Sequence, residues 1–155
     1  MDSRTPESSR TRRGFTLIEI MAVVLILGLL TTLVGVAILP QLEKGRISTT
    51  RSQIKMLDAA LETYRMDNAK FPTTEQGLEA LVRKPAEARN YQEGGYLRES
   101  RVPLDPWGNP YRYESPGTHN KRGYDLWSLG PDGQAGGEGN DADIGNWFED
   151  DVADG

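Results

Sequence analysis

The chain is 155 residues long, has no cysteine and a single histidine, and carries a formal net charge of −5. That length allows one soluble domain at most beside a membrane segment. The missing cysteines exclude disulfides, thiol catalysis and thiolate metal sites, and the acidic balance argues against a general electrostatic footprint for nucleic acid.

The first element is an apolar run. From Phe15 to Leu39 there are 25 residues with one charge, Glu19, and no Lys, Arg or His. As a helix rising about 1.5 Å per residue the run extends roughly 38 Å, enough to cross a bilayer. A removable secretory signal is one reading, because Arg10, Arg12 and Arg13 precede the run and Gly35-Val36-Ala37 has the form of a cleavage site. The run is longer than the usual core of about 7–15 residues, however, and holds a carboxylate near its start. A plain anchor is the second reading, in which an unpaired carboxylate costs about 2.5 kcal/mol or more. Any partner for Glu19 must come from elsewhere, and another copy of the chain is an economical source. Arg4, Arg10, Arg12 and Arg13 precede the run while Lys44, Arg46 and Arg51 follow it, so the basic bias is nearly even and does not orient the segment.

Pro40 removes a backbone donor and kinks or interrupts a helix. Beyond Glu43, the residues Ile47, Ile54, Leu57, Leu61 and Tyr64 recur at spacings of seven, three, four and three, which is one helical face. The pattern predicts one long helix from Phe15 to about Asp67, with too few heptads for an independent coiled coil. Phe71-Pro72 ends it, and Thr73 with Gln76 offers a capping box for a second, shorter helix through Val82. Residues 84–102 read as a loop, with Tyr91, Tyr96 and Leu97 turned inward. The turn formers of 102–110 precede a strand at Tyr111–Glu114 with both tyrosines on one face. A loop over 116–123 and a strand at Tyr124–Leu129 complete a small antiparallel sheet against the long helix, an α+β fold.

Residues 128–144 combine five glycines with Asp132, Glu138, Asp141 and Asp143. Calcium takes six to eight oxygens from carboxylates, carbonyls and water, and glycines let a backbone wrap an ion. The spacing is not that of an EF-hand, and composition alone leaves a solvated flexible loop open beside an ion site. Other chemistry is poorly provided for. No serine sits in a Gly-x-Ser-x-Gly elbow, and no Lys-Ser/Thr follows the glycines as a phosphate loop requires. Glu149, Asp150 and Asp151 read as an acidic tail rather than a glycosidase pair, and His119 reads as a solvated loop residue.

Gly14-Phe15-Thr16-Leu17-Ile18-Glu19, with its apolar sequel, resembles the processing site of type IV pilins and of the pseudopilins of type II secretion. Asp105-Pro106-Trp107-Gly108-Asn109-Pro110-Tyr111 and the acidic glycine loop are similar to the major pseudopilins in particular. The resemblance implies that a prepilin peptidase cuts after Gly14, that Phe15 becomes the N-methylated first residue, and that Glu19 meets the Phe15 amine of a neighbouring subunit. It implies three parts: a leader over 1–14, a transmembrane and filament-core helix over 15–39, and a periplasmic domain over 40–155. It also implies calcium held by the Leu129 carbonyl with Asp132, Asp141 and Asp143 as side-chain ligands, and Glu138 and Asn140 as secondary candidates. Loss of the leader takes the charge from −5 to −7, since Met1–Gly14 holds four Arg, one Asp and one Glu. Relative to the family's pattern Pro40 falls about one turn late, with Gly35 in the corresponding neighbourhood. The expected function is structural, not enzymatic: a homopolymer that grows from the Gram-negative inner membrane to drive export of folded exoproteins. Minor pseudopilins and an inner-membrane assembly platform are the implied partners, with no nucleic acid. A major type IV pilin is the rival within the class, against which the absent cysteine pair and the acidic loop argue. A membrane-anchored calcium-dependent binding module or hydrolase is the rival outside it.

Overall fold

The computed structural model describes residues 14–147, apart from the side chains of residues 33–38. The leader before Gly14 and the tail from Phe148 onward lie outside the described residues. The chain divides into two compact units, Met1–Pro40 and Gln41–Gly155.

Helix α1 runs Leu17–Asn68, 52 residues, close to the predicted span and with Pro40 inside it. Thr16 caps it: the Glu19 amide donates to the Thr16 hydroxyl at 3.3 Å and to the Thr16 carbonyl at 3.1 Å. Glu19 thus occupies the first turn, where a negative charge complements the helix dipole. In the first unit large apolar side chains stand exposed, from Phe15 at 80% to Leu29 at 74%. No helix among the described residues is long and apolar enough to cross a membrane. The expected span over 15–39 runs through residues 33–38, whose side chains lie outside the description.

In the second unit the predicted face of α1 is the buried one. Ile54, Leu57, Leu61 and Tyr64 form one wall of the core, joined by Leu78, Leu81, Tyr111, Tyr124, Leu126 and Ile144. Tyr91, Tyr96 and Leu97 pack against its edge, as the sequence predicts. The expected second helix is shorter than predicted. Its capping box does form, with Thr73 N donating to Gln76 Oε1 at 3.0 Å and Gln76 N donating to the Thr73 hydroxyl at 3.3 Å. Gly77 then takes φ 57, outside the helical region, and the chain continues only as a 3₁₀ turn over Leu78–Leu81.

Three strands make the sheet: β1 Arg112–Glu114, β2 Asp125–Ser128 and β3 Ile144–Gly145, in the order β1-β2-β3 and antiparallel throughout. The first two match the predicted pair. β3 has no counterpart in the sequence reading: a two-residue strand has no period to read, and its place is chosen by pairing with Trp127 and Ser128. The tyrosines lock the sheet to α1 and its sequel. Tyr111 donates to Gln53 Oε1, Tyr124 to Asp58 Oδ1 at 2.9 Å and Tyr113 to the Pro72 carbonyl at 2.8 Å. Burial pushes the Tyr113 hydroxyl up to about 12 and raises those of Tyr111 and Tyr124 as well, so all three remain donors at neutral pH.

Leu61 is fully enclosed whereas Met66, on the same helix, is 75% exposed. In denaturant unfolding Leu61→Ala is expected to cost about 2–5 kcal/mol and Met66→Ala under about 0.5 kcal/mol. Equal losses in the two variants exclude the buried face assigned here.

Candidate functional site

The glycine-rich loop is fastened at its start by a buried carboxylate that sequence reasoning did not single out. Asp105 lies within the turn-rich segment over 102–110 and is only 4% exposed. Its Oδ1 accepts from the amides of Trp107 at 3.1 Å and Asn109 at 2.8 Å, closing the Pro106–Gly108 turn on itself. Its Oδ2 accepts from the Ser128 hydroxyl at 2.6 Å, and that hydroxyl accepts from the Gly130 amide at 3.1 Å. The turn is pinned to α1 in addition, because Trp107 Nε1 donates to Glu43 Oε1 at 2.9 Å. An aspartate two and four residues ahead of free amides in a Pro-, Gly- and Asn-rich stretch is a recognisable turn signal. Its bond to Ser128, 23 residues away, is not local and carries no such signal.

Within the loop, Asp143 is the inward carboxylate. Its Oδ2 accepts from the Gly136 amide at 3.0 Å while its own amide donates to the Gly136 carbonyl at 3.1 Å, a reciprocal clasp across seven residues. Its Oδ1 is buried with no hydrogen-bond partner. Gly137 has φ 86, and a side chain there would collide with the Asp141 carbonyl, which also lies beside Gly130. Two turns of backbone therefore approach each other next to Leu129, itself 8% exposed. The other two predicted carboxylate ligands are exposed in this arrangement: Asp132, whose Oδ1 accepts from the Gln134 amide at 3.1 Å, and Asp141. Among the described residues no three His, Cys, Asp or Glu side chains gather as a metal cluster. The structure thus brings the Asp141 backbone, Gly130 and Gly137 together and does not bring the Asp132, Asp141 and Asp143 carboxylates to one point.

Asp143 also lines a cleft of about 500 Å³ between α1 and the loop, together with Arg51, Lys55, Asp58 and Asn146. Burial raises the Asp58 carboxyl above its ordinary range, against hydrogen bonds from Tyr124 and Asn146 that draw it down. At the start of β2 is the second satisfied carboxylate, Asp125, 1% exposed. It accepts from the amides of His119 at 2.7 Å and Asn120 at 2.9 Å, and lies 3.0 Å from His119 Nδ1. The imidazole stacks flat on Trp147, ring centres 4.0 Å apart and planes 8° from parallel. His119 is exposed, as expected of a loop residue, and it also joins the hairpin loop to the chain leaving β3.

With this geometry in view, the likeness to known proteins is specific. Residues 37–147 match the family described as type II secretion system (T2SS), protein G, and residues 9–38 match a prokaryotic N-terminal methylation motif. The chain belongs to the type II secretion system protein G family. A type II secretion system core protein G of Pseudomonas aeruginosa is 50% identical over 141 residues, spanning 89% of this chain and 96% of that protein. Its counterpart in Vibrio cholerae is 52% identical over 140 residues, with 89% and 93% covered. The crystal structure of the major pseudopilin from the type 2 secretion system of enterohaemorrhagic Escherichia coli superposes with a TM-score of 0.60 at 43% identity, over 70% of this chain and 91% of that one. The long helix and small antiparallel sheet are thus the fold of a protein G family member.

Burial works to raise the Asp125 carboxyl, but hydrogen bonds from His119 and Asn120, then the charge of His119, outweigh it and hold the carboxyl below the usual range. A carboxylate with a lowered folded value stabilises the fold above its unfolded value, near 4, and loses that contribution as pH falls through the folded value. Asp125→Asn is expected to cost roughly 2–4 kcal/mol in denaturant unfolding at pH 7, with the gap to wild type narrowing below about pH 4. A gap that does not change with pH excludes the ionised carboxylate as its source.

Proposed function

We infer that this chain is a structural subunit of the type II secretion pseudopilus, polymerising from the inner membrane, with its folded unit in the periplasm, to drive export of folded exoproteins. The observation that carries this is the match to the protein G family over residues 37–147 joined to the methylation motif over residues 9–38. In this reading prepilin peptidase cleaves between Gly14 and Phe15, Phe15 is methylated, and the apolar run to Leu39 serves first as anchor and then as filament core. Minor pseudopilins and the inner-membrane platform are its partners. Identities near 50% to core protein G sequences favour this role over a major type IV pilin or a calcium-dependent binding module.

Glu19 is the assembly residue. It has no cationic partner among the described residues and stands in the first turn of an apolar helix. An unpaired carboxylate in hydrocarbon is costly, and a neighbouring Phe15 amine relieves the cost on polymerisation. Glu19→Leu is expected to insert and be processed as wild type yet form no filaments by electron microscopy. Normal filaments from this variant would sink the assignment.

Calcium is the proposed ligand of the glycine-rich loop. The supporting observation is the buried, unpartnered Oδ1 of Asp143, since an anionic oxygen left unsatisfied in a buried site is destabilising and calls for a cation. The donors within the loop are all oxygen, which suits a hard ion. Asp143 and the Leu129 carbonyl would hold the ion, with Asp132 and Asp141 completing the set as the exposed loop closes. Bound at about a hundredfold excess over its dissociation constant, calcium adds roughly 2.7 kcal/mol to the folded state. In the full chain in detergent micelles, millimolar calcium is expected to raise the melting temperature by several degrees, and a chelator to reverse it. Asp143→Asn, which retains an acceptor for the Gly136 amide, is expected to abolish the shift; a shift of wild-type size in that variant excludes Asp143 as a ligand.

A further inference from the structure

Asn146 borders two concavities of the second unit, the cleft beside the glycine-rich loop and an open groove of about 730 Å³. The groove carries Arg65, Lys70, Lys121 and Arg122 against a single carboxylate, Glu62. Glu62 is already spent on Arg65, whose guanidinium pairs with it at 2.8 Å. Lys70, Lys121 and Arg122 are exposed and make no ion pair among the described residues. Three uncompensated cations thus surround one concavity in a chain of net charge −5. The cleft differs in this respect, because Asp58 and Asp143 there balance Arg51 and Lys55.

The complementary surface is the glycine-rich loop. No Lys, Arg or His occurs in residues 127–147, and Asp132, Glu138 and Asp141 stand exposed with no ion pair among the described residues. This loop is held away from the groove of its own chain. Its start is fixed by Asp105 through Ser128 and Gly130, its end pairs with β2 as β3, and its Gly139 and Asn140 line the cleft and not the groove. We propose that the groove of one copy receives the acidic loop of a second copy, with Glu138 set against Lys121 and Arg122. This rests on the polymer reading given above and names a contact within it. Chains that are each acidic repel one another, so a polymer of them gains from a register in which basic and acidic patches meet. Because the two patches differ, the contact is heterologous: every copy gives a loop and receives one, which builds an open filament where the rotation does not close. Glu138 leads the contact because Asp132 and Asp141 are the exposed carboxylates offered to calcium. The three aspartates and Glu138 outweigh the two charges of the ion, so the loop stays acidic with calcium bound. Each exposed pair is weak alone, so the contact works through several pairs together and sets register more than strength.

The test uses filaments of the full chain sheared from the cells that make them. The chain has no cysteine, so thiol chemistry is confined to introduced positions. Filaments of Lys121→Cys/Glu138→Cys are treated with a short bismaleimide, which adds one thiol at each end, and are read on a denaturing gel. The expected product is a ladder of dimers, trimers and longer species, with at most a trace in either single variant. Without cross-linker, Lys121→Glu/Arg122→Glu is expected to lower filament yield about fivefold, the upper factor for losing an exposed pair, and adding Glu138→Lys in the same chain to restore it. All three positions are exposed, so folding is preserved. The proposal is overturned, with the polymer reading left standing, by filaments that give no ladder, by a ladder as strong in Lys121→Cys alone, by cross-links to another protein in place of a ladder, or by a yield that Lys121→Glu/Arg122→Glu leaves unchanged. Absence of filaments from the wild-type chain overturns both.

Discussion

Ile54, Leu57, Leu61 and Tyr64 present one continuous apolar stripe along α1, and the sheet of β1, β2 and β3 has too few residues to hold together without it. No disulfide is available to share that task. The sheet is therefore laid on the helix and fastened by its aromatic residues, whose rings fill the core while their hydroxyls reach polar groups on α1 and at Pro72. Tyr113 and Tyr124 stack at 5.6 Å and Phe71 meets Tyr124 edge-on at 4.7 Å, so the same rings connect the sheet to the segment that follows α1.

Three aspartates lie inside this frame, and they differ in how each is satisfied. Asp105 and Asp125 have donors on both carboxylate oxygens, drawn from neighbouring amides, a hydroxyl and a histidine. Each closes a loop that has little apolar area of its own. Asp143 is satisfied on one oxygen alone and bare on the other. Since buried polar groups are mostly paired, the bare oxygen is the feature of the loop that supports the proposed calcium site. Asp105 matters to the same site indirectly, by setting where Ser128 and Gly130 stand and so where the loop begins.

The two units have opposite solvent logic. The first exposes a run of large apolar side chains with one acidic residue in its opening turn, a surface unfit for water and suited to lipid or to copies of itself. The second holds a buried apolar core and exposes most of its charge. In the proposed role as a pseudopilus subunit the two halves would divide one task, the apolar helix giving polymer contacts and the folded unit the exterior.

Much of this was legible in the chain. The apolar run, the helical stripe from Ile54 to Tyr64, the first two strands and the shared face of Tyr111 and Tyr113 follow from composition and periodicity, and the glycine and glutamate offsets around Phe15 mark the family. Those signals are local, since each is carried by residues a few positions apart that obey a fixed backbone period. Tertiary structure alone decided the rest. It cut the second helix to a 3₁₀ turn where Gly77 leaves the helical region, although the capping box before it formed. It added β3, bound Asp105 to Ser128 and set His119 between Asp125 and Trp147. It also separated Asp143 from the exposed Asp132 and Asp141, which composition had made equivalent. The physical reason is common to all of these: a short element or a single carboxylate has no period of its own, and its partner is whatever the packing on α1 brings within hydrogen-bond reach.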